Sequence, residues 1–133
     1  MKVKLGIQGL QEAQAANNKA IAALQPKGAL GRAIKYATIA AQRWVVAHTH
    51  VWHYKGGGLR ASHRMAIYEE ARAVWGELTI DPTAKNPRGQ RPAIYGPIEH
   101  ARGGSHAFYA RAEDEAGMRI AQGAAEILYG GLP

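Results

Sequence analysis

Apolar and polar residues alternate across residues 3–7 of the chain. A period of two is typical of a half-buried strand, so we predict that the chain begins with a strand that ends at Gly9. The next segment, Gln11–Leu24, is rich in Ala and Gln and carries apolar residues on one side, which predicts a short helix. Pro26 and Gly28 then stop this helix, because neither residue favours its continuation.

The strongest periodic signal lies between Leu30 and Trp52, where apolar residues recur at steps of three and four. Basic and amide side chains lie largely on the opposite side of this pattern. The spacing predicts an amphipathic helix of about 20 residues or more. The run Gly56-Gly57-Gly58 then ends it, since consecutive glycines have a high entropic cost in a helix.

Further apolar runs follow the glycines. Residues 65–68 and 74–80 predict two strands that pair as an antiparallel hairpin across residues 69–72. Segment 82–92 contains three prolines, one glycine and no large apolar residue, so it predicts an extended, exposed loop. The apolar segment 93–95 comes next and is a candidate for a further strand.

A last helix fits residues 109 or 112 to 128, and residues 130–133 predict a flexible tail. The resulting prediction is an α+β fold in a single domain, residues 1–133. An antiparallel sheet of three to four strands packs against the long helix, and shorter helices lie towards the N- and C-terminal ends.

The composition of the 133 residues excludes several classes of protein. The chain has no cysteine, which rules out a disulfide scaffold, an iron–sulfur site, a thiolate zinc finger and a cysteine nucleophile. No segment approaches the ~20 apolar residues of a membrane helix, so we expect no membrane partner. With 47% hydrophobic and 20% charged residues, the chain is typical of a globular protein.

Charge is distributed unevenly over the two halves of the chain. Residues 1–66 carry ten Lys or Arg and one acid, a net charge of +9, whereas residues 67–133 carry seven bases and nine acids, a net charge of −2. Such an asymmetry favours a polyanion, or the packing of the basic half of one copy against the acidic half of the next. A solvated surface that keeps the chain soluble explains it equally well.

The six histidines do not predict a metal site. On a helix His48 and His50 point in different directions, because they are two positions apart. His50 and His53 converge, but no carboxylate lies within fifteen residues to complete a ligand set. We therefore expect no metal and no cofactor.

An acid–base nuclease is the enzyme class with the most support. Small basic ribonucleases use a Glu and His pair with an arginine, and Glu99, His100, Arg102, His106 and Arg111 supply these residue types. Adjacent residues on a strand face opposite sides, however, and no pattern places a second base opposite the first. We therefore predict that the chain is not an enzyme.

Three short motifs occur in order along the chain: Gly58-Leu59-Arg60-Ala61-Ser62, Tyr95-Gly96-Pro97-Ile98-Glu99-His100-Ala101 and His106-Ala107-Phe108-Tyr109-Ala110-Arg111-Ala112. Together with the Gly9-Leu10 entry to the first helix, they resemble the tail-completion proteins of long-tailed bacteriophages, also called neck, tail terminator or head–tail joining proteins. The resemblance spans essentially the whole chain.

The resemblance implies a structural protein of the virion, located in the neck of the tail and assembled in the host cytoplasm. Copies form a ring, commonly a hexamer, at the head-proximal end of the tail. The ring ends the tail tube and docks on the head connector or stopper protein. Double-stranded DNA passes through its lumen.

The loop and motif residues also have expected roles of their own. We expect the basic side chains of the loop to contact a neighbour, the tube or DNA: Lys85, Arg88 and Arg91. We expect structural roles for the motif residues Gly58, Leu59, Ser62, Tyr95, Glu99, His106 and Phe108. Within this set, Gly58 permits a turn, Leu59 fills the core and Glu99 caps a helix or pairs with an arginine. Phe108 and Tyr109 anchor the last helix.

Two other functions are compatible with the sequence. One is a small basic nucleic-acid-binding module or ribonuclease-like enzyme, whose binding would depend steeply on salt. The other is a cytoplasmic regulator that dimerises through its long helix. A ring, a monomeric binding module and a dimer differ in mass, so the oligomeric state distinguishes them.

Overall fold

A computed structural model describes residues 7–49 and 58–133 of the chain. Five α-helices, one 3-10 turn and two strands occur within these ranges. In chain order they are α1 (Ile7–Ala23), α2 (Ala29–His48), α3 (Gly58–Ala61), β1 (His63–Glu69), β2 (Val74–Ile80), α4 (Pro92–Ala101), the 3-10 turn Gly104–His106 and α5 (Phe108–Gly130). In the described ranges, no helix combines the length and the apolar character needed to span a membrane.

Helix α2 is the central element, as its long apolar period predicts. It packs antiparallel to α5, because Ala29 at its start lies against Gly131 just after α5 ends. Further along, a Cβ placed on Gly123 of α5 would lie 2.5 Å from the hydroxyl of Tyr36. Gly123 therefore leaves room for the Tyr36 ring between the two helices, and Ala29 and Gly131 permit the close contact at the other end.

Strands β1 and β2 form the predicted antiparallel hairpin. Their register pairs His63 with Ile80 and Glu69 with Val74. The hairpin packs on α2 at Gly76, where an added Cβ would overlap the side chain of Thr38. Only glycine leaves room for β2 at this crossing, so the position of the hairpin on α2 depends on it.

The core lies where the C-terminal half of α2 meets α3, the hairpin and the start of α5. Val45, Leu59, Phe108 and Ala112 form its buried cluster. Partly buried side chains from neighbouring elements surround this cluster: Trp44, Leu78, Ile80, Tyr95 and Tyr109. The motif residues Leu59 and Phe108 are thus core residues, with 6% and 1% of their surface exposed.

The sheet differs from the prediction of three to four strands, because the described residues form only two. The apolar segment 93–95 belongs to α4 and not to a strand. A short apolar run does not by itself distinguish helix from strand, and Pro92 at the first helical positions favours the helix. Of the predicted N-terminal strand, residues 3–6 lie outside the described residues, and Ile7 begins α1.

The segments that flank α4 and α5 also have specific structures. Residues 81–91 form turns and irregular structure, and the buried Pro92 already belongs to α4. Helix α5 is longer than predicted, and its buried residues are Phe108, Ala112 and Ala116. Beyond it, the amides of Gly131 and Leu132 donate hydrogen bonds to carbonyls in the last turn of the helix.

Candidate functional site

The three motifs come together at one end of the molecule. Gly58 at the start of α3 lies against the loop and α4, since a Cβ there would be 2.6 Å from Asn86 Cβ and 3.2 Å from the Tyr95 hydroxyl. A Cβ on Gly96 would similarly be 2.9 Å from Leu59 Cδ1. The first two motifs therefore form one packed unit in which glycine provides the close contacts.

Ser62 closes the short helix α3. Its hydroxyl donates to the Leu59 carbonyl at 2.7 Å, and its amide donates to the same oxygen at 3.1 Å. The carbonyl of Ser62 accepts the amide of Asp81 at 2.8 Å, so the residue also joins β1 to the end of β2. Only 1% of Ser62 is exposed, and all its polar groups are paired internally.

The third motif joins the other two through an aromatic cluster. The ring of Phe108 makes edge contacts with the rings of His63, His100 and Tyr109, at centroid distances of 5.1, 5.1 and 4.6 Å. His100 also accepts a hydrogen bond at Nε2 from the amide of Ala110, at 3.3 Å. It thereby satisfies one of the free amides in the first turn of α5, whose N-cap residue Ala107 makes no side-chain cap.

Glu99 joins α4 to the 3-10 turn by a double interaction. Its Oε1 accepts a hydrogen bond from Arg102 at 2.9 Å, and its Oε2 accepts one from His106 Nδ1 at 2.8 Å. Burial alone would raise the pKa of Glu99, but the hydrogen bonds from Arg102 and His106 outweigh it and lower the pKa. The carboxylate is therefore held in its ionised form.

This pairing corrects the sequence argument against a converging acid and base. That argument placed Glu99 and His100 on a strand, whereas they lie on α4. The turn after α4 brings back His106, seven residues along, to the carboxylate. His100 instead faces Phe108 and α5, so the pair is Glu99 with His106.

Two arginines without a predicted structural role hold the C-terminal end of α2. Arg60 donates to the carbonyls of Ala47 and Thr49, at 3.2 and 2.9 Å. Arg111 lies over the Trp44 ring at 5.5 Å and donates to the carbonyl of Ser105 at 3.1 Å. Cationic side chains are stabilised near the C-terminal end of a helix, where the helix dipole is negative. The amino-acid composition does not show which arginines lie there.

The buried His63 completes this end of the molecule. Thr49 donates its hydroxyl hydrogen to the Val45 carbonyl at 2.6 Å, so its oxygen is left to accept a hydrogen bond from His63 Nε2, 2.8 Å away. His63 is therefore the neutral tautomer with hydrogen on Nε2, and Nδ1 is buried without a partner among the described residues. Burial lowers the pKa of His63 to about 4.

The basic loop, residues 81–91, is organised around Asn86. The Asn86 side-chain oxygen accepts the amides of Arg88 and Gln90, each at 2.9 Å. The backbone amide of Asn86 donates to the backbone carbonyl of Gln90 at 2.8 Å, which closes the turn. The turn orders the backbone between the basic residues Lys85, Arg88 and Arg91, all of which are exposed.

The loop is also anchored where it leaves β2. Asp81 accepts hydrogen bonds from the amide and hydroxyl of Thr83, at 2.9 and 2.8 Å, and pairs with Arg64 at 3.2 Å. The Thr83 amide is the largest of the contacts that lower the pKa of Asp81. The predicted basic residues thus lie on an ordered support.

Large apolar side chains are exposed on four helices and on the hairpin. Among the described residues, the large hydrophobic side chains in the buried core are Val45, Leu59 and Phe108. Exposed ones are more numerous: Leu10, Ile21 and Leu24 on or just after α1, Ile94 and Ile98 on α4, Met118 and Tyr129 on α5, and also Tyr36, Tyr68 and Trp75. At 100° per residue, Leu10 and Ile21 share one side of α1, and Ile94 and Ile98 share one side of α4. Exposed apolar surface of this kind is a candidate interaction site.

An apolar groove of about 460 Å³ opens between β2 and α5, with α2 as its floor. Its wall on the strand side is formed by Gly76 and Leu78. Apolar residues of the two helices line the rest, among them Ile34, Ala41, Ala112 and Ile120. The groove carries little polar chemistry, with Thr38 and Glu113 as its polar side chains apart from Tyr109.

Within residues 7–49 and 58–133, no three His, Asp or Glu side chains come together as a metal site. His50 and His53 lie outside the described residues. Comparison with family models, with curated proteins and with solved structures finds no match to this chain. The function must therefore be inferred from the motifs and from the geometry of the surfaces.

Proposed function

We propose that the chain is a structural subunit of a bacteriophage neck, which assembles with identical copies into a ring at the head-proximal end of the tail. The observation that carries the proposal is the exposed apolar surface of α1, α4 and α5. On assembly, the ring ends the tail tube and docks on the head connector or stopper protein, and double-stranded DNA passes through its lumen. The protein then resides in the virion after assembly in the host cytoplasm.

Helix α1 gives the clearest support for assembly. Leu10 and Ile21 on α1 and Leu24 just after it are each at least half exposed, and from Leu10 onward only Ala23 at the end of the helix is buried. An isolated helix of 17 residues has little stability of its own in water. Burying one such Leu or Ile at an interface contributes about 1.5–3 kcal/mol, so α1 is stabilised by packing on another copy.

The basic loop supports contact with DNA or with a neighbouring protein. Lys85, Arg88 and Arg91 are exposed on a turn that Asn86 already orders, so binding a partner costs little additional ordering. Neutralising DNA phosphates releases counterions, which makes basic side chains effective even without base contacts. In the ring, the loop is our candidate for the contact with the lumen DNA, the tube or the next copy.

The proposal includes a sheet of three to four strands in the assembled protein. The outer edge of β2 borders the apolar groove at Gly76 and Leu78, beside α5. An open strand edge of this kind accepts a further strand. The alternation of Val3 and Leu5 with lysines remains our prediction for one such strand.

The proposal is tested by imaging the purified chain alone and mixed with tail tube and connector proteins from the same source. We expect closed rings by cryo-electron microscopy, and addition of the rings is expected to stop tube growth and to join tubes to connectors. A monomer that is inert towards both proteins contradicts the proposal. A dimer that forms through α2 favours the regulator.

A second candidate function is a ribonuclease-like enzyme, which the Glu99–His106 pair favours. A carboxylate 2.8 Å from an imidazole, with Arg102 on the same carboxylate, has the components of acid–base catalysis on a phosphodiester. The assay is cleavage of RNA and DNA by the purified chain at low salt. Turnover that disappears in both Glu99→Gln and His106→Ala supports the enzyme, and no turnover in the wild type excludes it.

A further inference from the structure

The outer face of α2 is basic, although Arg32 and Lys35 line a surface pocket together with Glu69 of β1. Arg32, Lys35 and Arg43 are exposed, and the 20 residues of the helix include no carboxylate. At 100° per residue these three side chains lie within one 80° sector, with Ile39 between them. In the described part of the chain, none of the three forms an ion pair. Their charges are thus available to a partner.

The outer face of α5 is acidic on balance. Around the helix, Asp114 lies 40° to one side of Met118 and Glu126 lies 80° to the other, and the exposed Arg119 lies 20° beyond Glu126. Met118 itself is 77% exposed. Tyr129, 67% exposed, continues the same face. Neither Asp114 nor Glu126 forms an ion pair with another described residue. Glu115 is different, because Arg111 pairs with it at 3.1 Å.

The two faces are similar in length and in the order of their groups along the helix axis. Arg32 and Arg43 are eleven residues apart, about 16 Å along a helix, and Asp114 and Glu126 are twelve residues apart, about 18 Å. Each face has charges at both ends and an apolar side chain near the middle, Ile39 on α2 and Met118 on α5. Helix faces of this design pair with apolar contacts inside and ionic contacts at the ends.

We propose that the outer face of α2 in one copy docks on the outer face of α5 in the next copy, with Arg32 and Arg43 opposite Asp114 and Glu126. The contact is heterologous, since it joins two different surfaces, and heterologous contacts close into a ring when the rotation permits. This inference rests on the proposed ring and names the surfaces that build it. The charges act chiefly on partner selection, because like charges across an interface cost far more than matched pairs contribute.

DNA is the competing partner for the basic face of α2. Charge alone does not decide between them, but the exposed Met118 and Tyr129 favour a protein partner for α5. The α2 face of a second copy of this chain has apolar and basic side chains and the length needed to cover the α5 face. The acidic α5 face, in turn, repels DNA.

The test is a charge exchange between the two faces. The variants are Arg32→Glu/Arg43→Glu, Asp114→Lys/Glu126→Lys and the combination of all four substitutions. Assembly is measured by native mass spectrometry and light scattering, and circular dichroism checks folding. Each double variant alone sets like charges opposite each other, so we expect its assembly to weaken about 10- to 100-fold. Mixing the two double variants restores complementary contacts, and so does the fourfold variant.

Matched controls reverse charges away from both faces. Arg72→Glu and Glu70→Lys lie in the exposed hairpin turn and are expected to leave assembly unchanged. If a variant fails to fold, the salt dependence of wild-type assembly is the second measurement. Raising NaCl from about 50 to 500 mM shortens the screening length and is expected to weaken wild-type assembly about tenfold.

The outcomes separate this inference from the proposed function. Restored assembly in the mixture and in the fourfold variant supports it. Unchanged assembly of both double variants overturns the α2–α5 contact but leaves the ring intact. An Arg32→Glu/Arg43→Glu protein that assembles but loses DNA binding has the same meaning. A wild-type chain that stays monomeric at every salt concentration removes the proposed ring itself.

Discussion

The two ends of α2 are packed in different ways. Around its C-terminal end lie the large buried side chains Val45, Leu59 and Phe108, together with the hydrogen-bonded Thr49 and His63. Around its N-terminal end the buried hydrophobic residues are all alanines, and residues 10–22 of the neighbouring helix α1 are exposed almost throughout. The first end is held by contacts within one chain, whereas we propose that the second leaves apolar surface for other copies.

The largest expected effect breaks the packed end. Phe108→Ala removes a ring that is 1% exposed and contacts three other rings, so we expect a loss of about 3–5 kcal/mol in the free energy of unfolding. Leu24→Ala, at a half-exposed position, is the matched control at the other end. It is expected to weaken assembly and to change monomer unfolding by less than about 0.5 kcal/mol in urea titrations. Equal losses in both variants would remove the distinction between the ends.

The second effect is a dependence of stability on pH at the packed end. The pKa of His63 is about 4 in the folded chain, against 6.5 as its ordinary value, so the unfolded chain binds more protons between these pH values. The contribution of the neutral His63 to the free energy of unfolding is fully present above pH 6.5. We expect the free energy of unfolding to fall by up to about 3 kcal/mol as the pH drops to 4. Urea unfolding across this range measures the slope.

The control for this slope is the exposed His48. His63→Gln is expected to flatten the slope between pH 6.5 and 4, whereas His48→Gln leaves it in place. An unchanged slope in His63→Gln assigns the effect to another group.

The third effect tests how closely the hairpin approaches α2. Gly76→Ala places a methyl group against the side chain of Thr38, and we expect a loss of about 1–3 kcal/mol. Thr38→Ala removes the obstacle, so the double variant is expected to recover most of that loss in a double-mutant cycle. Additive losses would mean that the two residues are not in contact.

The smallest effect concerns the junction between α4 and α5. Glu99→Gln removes the charge that Arg102 and His106 share, and we expect a loss of about 1 kcal/mol, since the side chain is 30% exposed. The lowered pKa of Glu99 contributes stability that is present at neutral pH and is lost as the pH falls below its ordinary value of 4.5. Glu113→Gln on α5 is the control without an ion pair among the described residues. A larger loss in the control would contradict the assignment.

The long periodic elements were predictable, whereas contacts made by turns were not. The period of α2 and the alternation of the hairpin extend over enough residues to identify their type. Helix α4 was not predictable in this way, since its apolar run is short and interrupted by Gly96 and Pro97. The loop was predicted only as extended and exposed, although an Asn followed by Pro and, two residues later, by Gly favours the local turn at Asn86.

The candidate site shows the same division. Core positions such as Leu59 and Phe108 follow from the motifs, because a large apolar residue close to a glycine turn is expected to be buried beneath that turn. The Glu99–His106 pair depends on how the chain turns between α4 and α5, which residue spacing does not specify. The charge faces of α2 and α5 are visible in the sequence as halves of opposite charge, but their match requires both helices to be located.

We propose that α1 and the outer helix faces serve other copies of the same chain. Native mass spectrometry of the purified wild-type protein at low salt tests it most directly. We predict one dominant species that persists on dilution and has the mass of a closed ring of copies, with six as the expected number. A single peak at the mass of one chain, 14.3 kDa, across all concentrations would contradict the claim.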